Sequence, residues 1–374
     1  MTQRVSEKRS PSIEVCYTDR TMLRRGWTTG ACATAAAKAA CLGLIYGTIP
    51  NNITIQLPGG IYPKFNIKNS IISGRLATAS VIKDAGDDPD ITHGAEVVVD
   101  VTLAPAGHGL VFQAGAGVGC VTCPGLALEV GEPAINCSPR AMIKGNIAFA
   151  LQKLSPDLLL TVGIVNGVKL AKYTLNSRLG IIGGLSVLGT TGIVIPYSCA
   201  AWIKTIQHGV DIARATGLTH IVGATGRTSE QAAQKLLGLS DSALIEMGDF
   251  VGVLLKYLRY HPIPHLTLAG GFAKLAKLAQ GELNLHSGRC SFNAAFLAHL
   301  ALRSGAIASL VTLISSAKSA QHALILAKKA GFDLSSSVAR EAHKVAMKVV
   351  ESTIKINIVI FDSNGNFLAG EPSS

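Results

Sequence analysis

Apolar positions along the chain follow two rhythms. In the first half they come in short strand-length runs: Asn52–Leu57, Ile61–Ile67, Thr78–Lys83 and Ala95–Leu103, with Pro58-Gly59-Gly60 turning the first pair. Leu110–Gln113 is the expected hairpin partner of Ala95–Leu103. Leu158–Val165, Asn166-Gly167 and Val168–Leu175 predict a further hairpin, because Asn-Gly between apolar runs is a strong type I′ turn signal. Two helices interrupt these strands. One is the alanine-dense run from Ala31 to Tyr46, stopped by Gly47. The other opens in AINCSPR (134–140), with Pro139 in its first turn, and runs to Lys153.

After Pro196 the rhythm changes. A helix over Cys199–Ala215 closes at Gly217. Strand, loop and helix then alternate. Thr219–Ala224 leads through Thr225–Glu230 to Gln231–Leu237, Ala243–Met247 leads to Phe250–Tyr260, and His265–Ala269 leads through Gly270-Gly271 to a helix from Ala273. Three such repeats predict a parallel doubly wound sheet whose ligand lies at the carboxyl ends of its strands. Helices are predicted over Phe292–Arg303, Ala320–Lys329 and Val338–Glu351. The last carries a core stripe of Val338, Ala342, Val345, Ala346 and Val349. Ile356–Phe361 and Phe367-Leu368 predict a closing hairpin.

Composition narrows the function. Hydrophobic residues are 48% and charged ones 15%, enough for a large core in 374 residues. The net charge of +11 suits nucleic acid, anionic lipid or a polyanionic small molecule. The lysines are dispersed, no basic run of five occurs and aromatics are 5%, which disfavours nucleic acid. Eight cysteines without a scaffold rhythm read as free thiols of a reducing compartment, and Cys120 and Cys123 form a lone CxxC without a second pair. Residues 1–22 have no apolar core of a signal peptide and are expected to form a flexible extension. The uncharged spans Leu103–Leu128 and Leu179–Ile203 are interrupted by proline and glycine, so they read as buried segments of a soluble protein.

Several stretches carry candidate chemistry. In RRGWTTGACATAAAKAA (24–40), hydroxyls and free backbone N–H groups at a helix start meet Arg24 and Arg25, which suits a phosphate or carboxylate; a plainly capped helix with solvated arginines is the alternative. Asp84, Asp87, Asp88, Asp90 and His93 crowd one turn, either as a cation site or as a surface turn whose aspartates cap their own backbone. Gly115-Ala116-Gly117-Val118-Gly119 follows a strand but opens no helix, so the dinucleotide fingerprint fails and a backbone-lined ligand loop is what remains. Arg140 faces either a ligand carboxylate or an internal salt bridge. Glu246 and Asp249 fall about 20 residues after Gly226, the interval of a ribose-binding carboxylate. Thr225–Glu230, Glu246, Asp249 and Gly270-Gly271 therefore surround one adenosine-type ligand, or are ordinary capped loops.

Seven stretches taken together resemble the CbiD family, the cobalt-precorrin-5B C(1)-methyltransferases. They are RRGWTTGACATAAAKAA (24–40), IKDAGDDPDITHGAE (82–96), GAGVGCVTCPGL (115–126), GEPAINCSPRAMI (131–143), NSRLGIIGGLSVLGTTGIVIPYS (176–198), TGRTSE (225–230) and GGFAKLAKLAQGELNLHS (270–287). The resemblance implies methyl transfer from S-adenosylmethionine to C-1 of an anionic corrinoid, giving cobalt-precorrin-6A in anaerobic cobalamin biosynthesis. The runner-up is a non-enzymatic corrinoid carrier. The resemblance implies a cytoplasmic enzyme with no protein-bound metal, since cobalt arrives in the substrate, with no nucleic-acid or membrane partner, and with room for a homo-oligomer. The implied fold is an α+β domain over residues 23–196 followed by a Rossmann-like α/β domain with a parallel sheet over residues 197–374. Asp84, Asp87, Asp88 and His93 become the candidates for proton handling. Arg25, Thr28, Thr29, Gly30, Gly117, Gly119, Asn136, Arg140, Asn176 and Arg178 become the substrate set. Thr225, Gly226, Arg227, Ser229, Glu230, Glu246, Asp249, Gly270 and Gly271 become the cofactor set. Departures from the family pattern fall at Cys123, Cys137-Ser138, Leu175-Asn176-Ser177, Phe272-Ala273 and Leu285.

Overall fold

A computed structural model describes residues 23–152, 156–288, 291–351 and 354–371. The expected extension over residues 1–22, with Cys16, and also Cys290 lie outside the described residues.

The chain opens with the two-residue strand β1 (Gly26–Trp27) and the long helix α1 (Thr29–Tyr46). Thr28 caps α1 by accepting from the Ala31 N–H, and Gly47 ends it in the left-handed conformation at φ 74°. Next come β2 (Asn52–Thr54), β3 (Lys64–Asn66), β4 (Ser70–Ser73), β5 (Leu76–Ile82), β6 (Glu96–Leu103) and β7 (Leu110–Ala114). They are followed by β8 (Cys120–Val121), α2 (Cys137–Leu151), β9 (Leu158–Ile164), α3 (Gly167–Ala171), β10 (Ile181–Ile182) and β11 (Ile193–Val194).

The first five-stranded sheet has the order β4-β5-β6-β9-β7. Alternate residues of β6 and β9 are buried, and that apolar face packs on α1 and α2. Alanines let α1 lie close to both sheet and helix, and Gly30 approaches Pro139 so nearly that an added Cβ would stand 2.7 Å from its ring. By length and apolarity α1 alone among the described helices could cross a membrane, yet most of it is buried inside this core.

Two expected hairpins are overturned here. Leu110–Gln113 does not return against β6; β7 pairs in parallel with β9, while β6 pairs antiparallel with the other edge of β9. Leu158–Leu175 is not a hairpin either. With both edges of β9 already paired there is no edge for a returning strand, so Asn166 (φ 59°) turns the chain into the short helix α3 instead. The β2–β3 hairpin forms as expected, and β4 is an additional short edge strand.

The second sheet begins after α4, which spans Cys199–Ala215. Then come β12 (His220–Ala224), α5 (Arg227–Leu237), β13 (Leu244–Glu246), α6 (Val251–Tyr260), β14 (His265–Gly271) and α7 (Phe272–Ala279). After them follow α8 (Ala294–Arg303), α9 (Ala308–Ser315), α10 (Ala320–Lys329), α11 (Leu334–Val350), β15 (Lys355–Phe361) and β16 (Phe367–Glu371). The order is β13-β12-β14-β15-β16, with the first four strands parallel and β16 antiparallel at the edge. The sequence pattern placed Thr225–Glu230 in a loop and began the helix at Gln231, but α5 already begins at Arg227.

Side chains alternate across this sheet. Ile221, Ile245, Leu266, Leu268 and Ile358 pack into a large core with α4, α6, α7 and α11. Val222, Ala224, Leu244, Ala269 and Val359 pack with Ala233 of α5 on the opposite face. The connection leaving β12 thus crosses one face and the connection leaving β13 crosses the other. The switch falls at the carboxyl ends of β12 and β14, the place where folds of this strand order hold ligands in a crevice.

Candidate functional site

The register brings Ala224, Glu246 and Ala269 side by side at that carboxyl edge. The Thr225 N–H donates to the Ala269 carbonyl at 3.0 Å, and Thr225 closes on Gly270, where an added Cβ would stand 2.9 Å from Oγ1. The Gly226 carbonyl accepts from the Glu230 N–H and from Ser229 Oγ, which starts α5. Beside the α-carbons of Gly226 and Gly271 there is open space.

Glu230 is buried, its side chain only 6% exposed. Both its carboxylate oxygens accept from Arg178, at 2.8 and 2.9 Å. Arg178 comes from the loop between α3 and β10, so the pair joins the two halves of the chain. Such a bidentate pair is what makes a buried carboxylate tolerable. Among the described residues two of the five guanidinium N–H groups are used. Glu246 ends β13, half-buried, and its carboxylate makes no hydrogen bond among the described residues. Burial, then the Glu230 charge, raises its pKa against the opposing pull of Arg178 and Arg227. Asp249 is turned elsewhere: it pairs with Lys274 on α7, while its carbonyl accepts from the Leu285 N–H. The predicted cofactor residues therefore gather at one edge, Asp249 excepted.

The second cluster is the turn over residues 84–94. The Arg24 guanidinium grips both oxygens of Asp84. That hydrogen bond, helped by the Gly86 N–H, holds the Asp84 pKa down to about 2. The Arg24 backbone N–H donates to Asp87, and the Tyr197 N–H donates to Asp88 at 2.7 Å. Tyr197 stands at φ 57°, a conformation a bulky side chain seldom adopts, and Asp88 helps to hold it. Asp90 takes the buried Lys83 ammonium and both donors of Thr92. No group of three possible metal ligands occurs among the described residues; Asp84 and Asp90 cap their own turn at the Gly86 and Thr92 N–H groups, whereas Asp87 and Asp88 accept from the distant Arg24 and Tyr197. His93 is exposed, and its Nδ1 accepts from the Ala85 N–H at 3.1 Å. With Nδ1 accepting, Nε2 is the donor nitrogen of the ring.

The substrate set divides. Thr28 and Thr29 are buried, and Thr29 and Gly30 bond to Leu188, so the start of α1 is sealed by the loop over residues 188–192. Arg25 is exposed and without an ion-pair partner among the described residues. Asn136 heads α2 without a side-chain cap. Arg140 takes the internal alternative, donating to Glu132 and to the carbonyls of Ile135 and Pro133. Gly117 and Gly119 lie where backbones cross: an added Cβ at Gly117 would stand 2.0 Å from the Ile164 carbonyl, and at Gly119 2.7 Å from Ile181. Asn176 donates to the Gly184 carbonyl.

Sequence reasoning passed over a pocket of about 370 Å3 beside Asp84, lined by Trp27, Lys64, Phe65 and Lys68. Its only signal is two lysines four apart in a hairpin. A larger groove of about 900 Å3 lies between Lys38, Thr54 and Phe149, and its lining holds no histidine or carboxylate.

Comparison with known proteins agrees along nearly the whole chain. The family model described as CbiD matches residues 16–196, and the one described as CbiD, C-terminal domain, matches residues 284–372. A cobalt-precorrin-5B C(1)-methyltransferase of Rhodospirillum rubrum is 52% identical over 344 residues, 92% of this chain and 96% of that protein. Its namesake from Brucella ovis is 49% identical over 354 residues, 94% and 96% of the two chains. Among solved structures, a 1.9 Å crystal structure of a cobalamin biosynthesis protein (cbiD) from Archaeoglobus fulgidus is 27% identical. It covers 71% of this chain and 83% of its own, with a TM-score of 0.39.

Proposed function

The chain belongs to the CbiD family, and on that premise we propose that it methylates C-1 of cobalt-precorrin-5B, with S-adenosylmethionine as donor, to give cobalt-precorrin-6A in the anaerobic route to cobalamin. The observation that carries this reading is the near end-to-end identity to proteins named for that reaction. We read residues 23–196 as an α+β domain for the corrinoid and residues 197–374 as a Rossmann-like domain for the donor, in a cytoplasmic enzyme without nucleic-acid or membrane partners. A corrinoid carrier without catalysis finds no support in relatives named as methyltransferases.

The donor-binding reading is supported at the carboxyl edge of the second sheet. Glu246 offers a half-buried acceptor without a hydrogen bond among the described residues, which fits a ribose diol, and the open space beside Gly226 and Gly271 fits close approach of a ligand. The donor, when bound, supplies an electrophilic sulfonium methyl for in-line attack by the ring carbon. The chain's own work is placement. Glu230 holds Arg178 with three N–H groups unused among the described residues and so open to a substrate carboxylate, and the +11 balance draws in a polycarboxylate ring. Asp84, held by Arg24 to about 2, is too weak a base at neutral pH, and Asp88 is engaged by Tyr197. Asp87 is engaged in the same way by the Arg24 N–H, so the Nε2–H of His93 remains to handle a proton.

The test is a single turnover of purified protein with methyl-labelled S-adenosylmethionine and cobalt-precorrin-5B, read by mass spectrometry. A product heavier by one labelled methyl is expected. Corrinoid bound but unchanged by folded protein would refute the reading.

A further inference from the structure

Trp202 stands near the start of α4 with 43% of its surface exposed. Two contacts fix its ring. The indole N–H donates to the Glu246 carbonyl at 3.0 Å, and the edge carrying Cζ2 lies against Gly248, where an added Cβ would stand 3.1 Å away. Gly248 is left-handed at φ 54°, and the Met247 and Gly248 N–H groups both donate to the Ala224 carbonyl at the end of β12. The turn that follows β13 is therefore pinned to the neighbouring strand, and a rigid indole with one edge anchored stands over it.

Resting on the donor reading above, we propose that Trp202 is the stacking platform for the purine of the methyl donor. Glu246 sets the direction. If its carboxylate takes the ribose hydroxyls, the sulfonium end of the ligand points to the crevice at β12 and β14, because Arg178, Thr225 and Gly270-Gly271 lie there. The base then leaves the ribose on the other side, over Met247 and Gly248, where the exposed indole stands. Gly248 presents no side chain, which lets the ring edge lie directly on that turn. An aromatic face accepts a base without reading its hydrogen-bond pattern, which suits a site that holds one invariant cofactor.

The chain contains two tryptophans, Trp27 and Trp202, so Trp27→Phe leaves indole emission to Trp202 alone. Titrating this variant with S-adenosylhomocysteine is expected to quench its emission with the same midpoint that calorimetry gives for binding. Trp202→Ala is expected to weaken that binding by about tenfold or more, and Trp202→Phe, which keeps a ring, by about fivefold or less. Calorimetric binding to Trp27→Phe with unchanged emission would overturn the inference and leave the donor reading standing. Failure of S-adenosylhomocysteine to bind the unaltered protein would overturn both. Quenching by the corrinoid substrate, with no response to S-adenosylhomocysteine, would assign the ring to the other ligand and also overturn it.

Discussion

Arg178 and Glu230, 52 residues apart, form a two-point ion pair that ties the glycine-rich loops of the first half to the first turn of α5 in the second. The carboxylate is almost wholly desolvated, so removal of its partner leaves a buried charge unpaired. Arg178→Ala is expected to cost about 3 kcal/mol in urea unfolding. Arg178→Ala with Glu230→Ala should cost clearly less than the sum of the two single changes. Additive losses in this cycle would mean that the pair has no coupling.

The glycine cluster over residues 115–119 and the glycines at the sheet edge call for opposite outcomes. Gly117→Ala sets a Cβ 2.0 Å from the Ile164 carbonyl at φ 81°, so about 2 kcal/mol or more of stability should be lost. Gly226→Ala meets nothing, so the melting temperature should hold while affinity for S-adenosylhomocysteine falls. If Gly117→Ala melts like the unaltered protein but loses corrinoid affinity, the loop lines a ligand after all.

His220 and His265 stack at 3.8 Å on adjacent parallel strands beside Lys355. Burial first, then the charges of His265 and Lys355, lowers the His220 pKa from 6.5 to about 4. As pH falls below 6.5 the unfolded chain takes up this proton and the folded one resists it. The stability contributed by the neutral ring is therefore complete above pH 6.5 and is lost as pH falls towards about 4. Thermal melts across that window should show a slope that His220→Phe reduces; an unchanged slope would point to other groups.

His93 and Asp84 should separate in kinetics. His93→Ala is expected to lower kcat by about 10²-fold, within the range for general acid–base groups, with a small change in KM. Asp84→Asn loosens Arg24 and should affect the melting temperature more than kcat. Equal loss of kcat in both variants would place the proton elsewhere.

Local signals were legible in the sequence, and distant pairing was not. α4 spans the residues its pattern predicts, and α1 has the expected threonine cap and glycine stop, because both depend on residues within one turn. The two misplaced hairpins have one cause: β9 enters the middle of its sheet, and nothing near Asn166-Gly167 records that both edges of the strand are taken. At the site, the strand-end residues could be found by counting from Gly226. The destination of Asp249 depended on Lys274, and the glycines over residues 115–119 answer to backbones that arrive 45 or more residues later, such as Ile164.

The insertion of β9 between β6 and β7 also bears on how the chain comes off the ribosome. β4 to β7 are all synthesised before it, yet β6 and β7 have no partner in common until residues 158–164 emerge. Until then the nascent sheet carries two open strand edges and uncovered apolar side chains of α1 and α2, so its closure waits on a late, long-range insertion. A chain lacking residues 158–164 leaves β6 and β7 unjoined, each with an unpaired edge open to other chains.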